Sequence, residues 1–422
     1  MAWQAYRALA HRIRHRRAGT LGGERCAWCE WAAESRQPPG PRLGFSQSEQ
    51  VDRVAGFLRS IGLIERFAPL VVIVGHGSNS ANNPHLAAYD CGACSGRHGG
   101  PNARVFAAMA NRPEVRAGVA AHGIVIPDST WFLGAEHNTG DESVCWFDTA
   151  DLPATHRAAF SSLCSDFDEA TRRHAIERCR RFASAPRMPD ATDATRHLVG
   201  RRHDWSQARP ELGHATVAAA FIGRRSMSRG AFFDRRVFLI SYDPVADEDG
   251  RVLEATLLAA GPVGAGIALE YYFSTVDNER FGCGTKIMHN LAGLLGVMEG
   301  ASSDLRTGLP RQMIEIHEAM RLQVVIEQTR EVVAAIYARQ PPLRELIGNG
   351  WILVAVKEPV SGEIHRFDPV RGWLPWTPGD TPAVPLVANS AAWLGAHREP
   401  LPPALLAPPA LLIPPALQEV LA

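Results

Sequence analysis

His76 and Cys91 stand fifteen positions apart, separated by a run dense in glycine and asparagine, "HGSNSANNPHLAAYDC". Neutral imidazole and thiolate are ligands that zinc prefers, so the two side chains would face one ion if the chain between them folds back. A hydrogen-bonded histidine and a buried thiol are the alternatives that this loose spacing leaves open. Cys91 and Cys94 form a C-x-x-C pair, but "SGRHGG" follows where a thioredoxin-type redox motif would begin a helix. Cys26 and Cys29 form a second such pair, and two pairs together would make a structural zinc site. Gly92, Gly96, Gly99 and Gly100 suit either a bare turn or a small pocket of backbone amides for bicarbonate or phosphate. The pattern is neither a Walker loop nor a dinucleotide fingerprint.

The elements around these residues must place them. Leu70 to Val74 is short and rich in Val and Ile, which predicts a buried strand with His76 just beyond its end, where α/β proteins build their sites. Upstream, Ser46 and Glu49 have the spacing of a capping box, and Val51, Val54, Phe57, Leu58 and Ile61 form one helical face. Downstream, "PNARVFAAMANRPEVRAGVAAHGI" reads as helix, with Pro101 in its first turn and Pro113 breaking it. Leu152 to Arg187 reads as a charged, solvated helix. "RVFLISY" from Arg236, "GIALEYYFSTVDN" from Gly266 and "WILVAV" from Trp351 are strand candidates separated by helix-like runs. The fold class expected is α/β, a mixed sheet with flanking helices.

Three regions follow. Residues 1–43 form a variable basic arm, either poorly ordered or a surface-binding amphipathic helix with Trp3, Tyr6, Ala10 and Ile13 on one face; residues 44–376 form the α/β region; residues 377–422 form a Pro/Ala/Leu-rich extended tail. The 422 residues carry 44 basic and 44 acidic side chains, so net charge gives no sign of a nucleic-acid partner. No uninterrupted apolar run reaches the roughly 18 to 20 residues of a membrane span, so none is expected. Arg7, Arg12, Arg14, Arg16 and Arg17 interrupt any secretory leader, and the scattered cysteines read as thiols, which makes the cytoplasm the default.

Two long segments carry a more specific signal. "APLVVIVGHGSNSANNPHLAAYDCGACSGRHGGPNARVFAAMANRPEVR" and "GIALEYYFSTVDNERFGCGTKIMHNLAGLLGVMEGASSDLRTGLPRQMIEIHE" resemble the large soluble (DabA-type) subunit of the bacterial DAB inorganic-carbon transporters, over about Gly44 to Trp376. The resemblance implies a β-carbonic-anhydrase-like core that holds Zn2+. It further implies a membrane-embedded, antiporter-like (DabB-type) proton-conducting partner, carbon dioxide and bicarbonate as substrates, and a peripheral position on the cytoplasmic face of the inner membrane.

In that family one Cys and one Asp of an upstream Cys-x-Asp-x-Arg segment bind zinc with a His and a Cys after a strand. The second pair carries over onto His76 and Cys91. No Cys-x-Asp-x-Arg precedes His76, and Cys164-Ser165-Asp166 has Asp168 in the place of the arginine. The expectation is therefore a carboxy-terminal half, incomplete at the amino-terminal side, that belongs to a transporter subunit or to a degenerate, non-catalytic binding protein of the same fold. Ser78, Asn82, Asn83 and Asp90 are candidates to orient the ligands, with ordinary loop hydrogen bonding as the alternative. Arg97 and Arg104 are candidates to attract bicarbonate, or plain exposed arginines. Glu270, Asp277, Lys286 and His289 suggest an interior network or a partner-facing surface.

Overall fold

A computed structural model describes residues 44–79, 98–204, 217–282, 308–309, 311–379 and 382–407. The chain falls into two compact units, Met1–Arg173 and His174–Ala422.

The first unit opens with helix α1, Gln47–Ser60. Ser46 Oγ accepts the Glu49 N–H at 3.3 Å while the Glu49 carboxylate accepts the Ser46 N–H at 2.7 Å, the reciprocal cap that the sequence predicts. Strand β1, Leu70–Gly77, follows, then α2, Gly100–Ala110, and α3, Pro113–Ala121. Pro113 ends one helix by starting the next, because a helix's first residue has no use for the N–H that proline lacks. Strands β2, Trp131–Asn138, and β3, Ser143–Trp146, complete a sheet in which β1 and β2 run parallel and β3 antiparallel. Val54, Leu58, Phe106, Val115, Val119 and Phe132 form the core, with Val71 and Ile73 of β1 packed against it. From α4, Arg157–Arg181, Phe160 and Phe167 meet Trp146 edge-on at 5.3 and 5.1 Å between ring centres.

The second unit adds α5, Ala191–Arg202, strands β4, Ala219–Gly223, β5, Ala231–Phe232, and β6, Val237–Ser241, and then α6, Arg251–Val276. Next come β7, Gln323–Glu327, α7, Arg330–Arg339, α8, Pro341–Gly348, β8, Leu353–Lys357, β9, Ile364–Asp368, and β10, Gly372–Pro375. The main sheet has the order β10-β9-β8-β7-β4-β6, parallel from β8 to β6 and antiparallel at β9 and β10. Strands β11, Leu386–Val387, and β12, Ala404–Leu406, form a small sheet with β5. The architecture is mixed α/β with flanking helices, as the sequence predicts.

Two expectations are corrected by α6. The segment Gly266–Asn278 is not a strand; through Val276 it is the second half of this helix. Its buried positions Leu253, Leu257, Ala265, Ala268 and Tyr271 recur at helical spacing, and Pro262 is accommodated inside the helix. The helix is also long and apolar enough to cross a membrane by length and composition, with mean hydropathy 1.7 over an 18-residue window, where no such stretch was expected. Leu253, Leu257, Ala265 and Ala268 are nevertheless part of the core of the second unit, beside Val324, Ile326 and Ile336.

Candidate functional site

Strand β1 carries its pairing with β2 through Gly77, so His76 lies within the strand rather than past it. The alternation of a strand sends Val71 and Ile73 to the core and His76 to the opposite face, where its side chain is exposed. His137 is the β2 residue in register with it. His137 Nε2 donates to Glu142 Oε2 at 2.8 Å, and that glutamate is buried.

The chain comes back to the same strand end at His98 to Gly100. Gly99 donates its N–H to the His76 carbonyl at 2.6 Å. A Cβ on Gly75 would collide with the Gly99 backbone, which requires glycine there, and one on Gly100 would displace the side chain of Glu136. Glu136, in register with Gly75, accepts the Nδ1–H of His98. Asn138 Oδ1 accepts the N–H groups of Asn79 and Gly140 at 3.0 Å each, and Thr139 N–H reaches the Gly77 carbonyl at 2.8 Å. The residues flanking the segment that contains Cys91 are therefore fastened to the carboxyl ends of two parallel strands, the usual place for a site in an α/β sheet.

Cys91 itself lies outside the described residues, as do Cys26, Cys29, Cys94, Cys283, Asn82, Asn83, Asp90, Arg97, Lys286 and His289. Of the other candidates, Ser78 is buried beside His76. Arg104 is committed to Asp148 by two hydrogen bonds, 2.8 Å from Nε and 2.6 Å from Nη2, rather than waiting for an anion. Cys164 and Asp166 lie on the helix α4, where no metal loop can form. Asp277 caps the turn Asn278–Phe281 by accepting the Arg280 N–H. Among the described residues, no three His, Cys, Asp or Glu side chains are gathered to hold a metal ion. His76 is exposed at the carboxyl end of β1, and of the two expected ligands it alone lies among the described residues.

The pairs His98–Glu136 and His137–Glu142 were not visible in the sequence. His98 and Glu136 stand 38 residues apart, and only the pairing of β2 with β1 brings the carboxylate to the returning loop. Cys145 on β3 pairs with Glu136 of β2: burial first, then the charge of Glu136, push its pKa up, against a smaller opposite effect of Arg104.

The profile of the family described as "Probable inorganic carbon transporter subunit DabA" matches residues 2–352. This chain belongs to the DabA family. Among proteins of that name, one from Methylococcus capsulatus is 64% identical over 379 residues, covering 89% of this chain and 35% of the relative. One from Dechloromonas aromatica is 65% identical over 369 residues, 87% of this chain and 36% of the relative. One from Azotobacter vinelandii is 45% identical over 328 residues, 78% of this chain and 39% of the relative. This DabA-family chain thus spans about a third of the length of the curated relatives it matches. No solved structure matches it.

Proposed function

We propose that this chain is the part of an inorganic-carbon transporter subunit that contributes His76 and Cys91 to a zinc centre of β-carbonic-anhydrase type. The observation that carries the reading is the anchoring of the signature segment: within a chain of the DabA family, His76 projects from the end of β1 and Gly99, beyond Cys91, is bonded to His76 itself. When bound, zinc would lower the pKa of a coordinated water to about 7 and so supply hydroxide to carbon dioxide. The chain's own part is to hold the ligands: β1 fixes the His76 backbone, and Glu136 and Asn138 tie down the two approaches to it. The subunit would sit peripherally on the cytoplasmic face of the inner membrane, against a membrane-embedded, proton-conducting DabB-type partner, and deliver bicarbonate.

The test is the zinc content of the purified chain, alone and co-expressed with a polypeptide that supplies a Cys-x-Asp-x-Arg segment and with the membrane partner. Zinc is expected in the co-expressed preparation and lost on His76→Ala or Cys91→Ala. Absence of zinc from both preparations overturns the assignment. A second reading is a non-catalytic binding protein of the same fold, suggested by the sequence, in which no Cys-x-Asp-x-Arg precedes His76. Zinc without carbon dioxide hydration in the presence of the partner would select it.

A further inference from the structure

The second unit holds a buried cation that the described residues leave poorly matched. Arg201, near the end of α5, is 5% exposed, and its guanidinium lies 3.5 Å from the centre of the Phe182 ring. A guanidinium has five N–H donors. Among the described residues the nearest acceptors are Ser184 Oγ and Glu315 Oε1, each 3.4 Å from Nη1 and beyond the usual N–H···O range of about 2.7–3.2 Å. Nε and Nη2 are buried, with no acceptor among the described residues. Glu315 is a weak counter-charge as well, because burial pushes its carboxyl pKa up against the pull of Arg201. A buried guanidinium so loosely compensated is costly, and an anion beside it removes that cost.

Arg201 borders a cavity of about 560 Å³ along one face of α5, together with Ser184, Asp193, Arg196, His197 and Asp204. The spacing of 193, 196–197, 201 and 204 puts the helical residues on one side of α5 and its continuation. Ser184 Oγ is 3.4 Å from His197 Nε2, as it is from Arg201 Nη1. Those separations suit donors arranged around a shared acceptor better than donors bonded to each other. Asp193 is spoken for by Arg196 at 2.5 Å, which leaves Ser184, His197 and Arg201 as the grouped donors on this face. Burial, then the Arg201 charge, pushes the His197 pKa down, which favours the neutral imidazole.

We propose that this cavity is a binding site for the oxyanion group of a small molecule, held by the Arg201 guanidinium, Ser184 Oγ and the His197 imidazole. The cleft is open to solvent and roomier than an inorganic anion, so it leaves space for a carboxylate or phosphoryl group carried on a compact organic body. The site is independent of the zinc reading: it lies wholly in the second unit, and its success or failure says nothing about His76.

The test is nuclear magnetic resonance of the full chain, with the His197 imidazole signal assigned by His197→Gln, during titration with sodium acetate, sodium bicarbonate or inorganic phosphate at constant ionic strength. A saturable shift of that signal is expected, together with a rise in the His197 pKa, since an adjacent anion favours imidazolium. Arg201→Gln should weaken binding by about tenfold or more, the effect of losing a charged donor. Ser184→Ala should weaken it by roughly three- to tenfold without disturbing a buried charge, and so decides the matter if Arg201→Gln fails to fold. A response to acetate and bicarbonate identifies a carboxylate-type ligand, and a response to phosphate a phosphoryl one; both support the site. No saturable shift with any of the three, or unchanged affinity in Ser184→Ala, overturns it.

Discussion

Gly99 donates its backbone N–H to the carbonyl of His76 across 2.6 Å, and Gly75, one residue before His76, leaves no room for a side chain against Gly99. Two segments far apart in the chain are thereby held in backbone contact at the end of β1. The proposed ligand depends on that contact, since a His76 whose strand end shifts would carry its imidazole with it.

Gly75→Ala should consequently cost about 1–3 kcal/mol, the usual penalty for forcing an extra methyl group into a packed site. The clash is with backbone, which cannot rotate away as a flexible side chain would. Gly56→Ala is the matched control: its Cβ would meet nothing within 4 Å in the middle of α1, so it should stabilise by roughly 0.5–1 kcal/mol. Opposite shifts of the thermal transition for these two variants are the expected outcome. Equal shifts would mean that the Gly75 contact is not tight.

The local parts of this arrangement were legible in the sequence. Ser46 and Glu49 announce a cap through a spacing of three, and the Val/Ile run announces β1, because both signals depend on neighbours in the chain. Glu136 carries no such signal. Its role exists only once β2 pairs with β1, and "WFLGAEHN" offers little alternation to reveal a strand. Gly266–Val276 misleads for the opposite reason: its aromatic and β-branched content suggests a strand, while burial of Ala265, Ala268 and Tyr271 selects a helix. The pairing of His76 with Cys91 rests on family resemblance, since a fifteen-residue gap specifies no geometry.

Cys179 should be chemically silent in the folded protein. Burial is the main cause that pushes its thiol pKa up to about 11, against the nearby Arg178 and Arg201 charges, and its Sγ–H donates to the Ala194 carbonyl at 3.5 Å. Pulse labelling with iodoacetamide at about pH 8 should leave Cys179 unmodified until denaturant is added, because a thiol of that pKa is almost wholly protonated at that pH. Mass-spectrometric mapping reads the result. Rapid native labelling would show that the α4–α5 packing opens on the timescale of the pulse.

Glu327 should make the second unit sensitive to acid. The side chain is 1% exposed at the end of β7, and accepts Arg224 N–H at 2.8 Å, Arg224 Nη2 at 2.8 Å and Lys357 Nζ at 3.3 Å. Burial alone would raise its pKa, but the hydrogen bonds from Arg224 and Lys357 outweigh burial and hold it below the ordinary value. A depressed folded pKa means that this contribution is complete above the unfolded value of about 4.3 and is lost as pH falls through the folded one. Glu327→Gln should cost about 2–3 kcal/mol at neutral pH, less than the roughly 3–5 of a fully buried pair because the heads of Arg224 and Lys357 reach water. The variant should also lose stability less steeply between about pH 5 and pH 3, because it has no carboxylate there to protonate. Urea unfolding of both proteins across that range measures the difference, and parallel pH profiles would place the acid-labile group elsewhere.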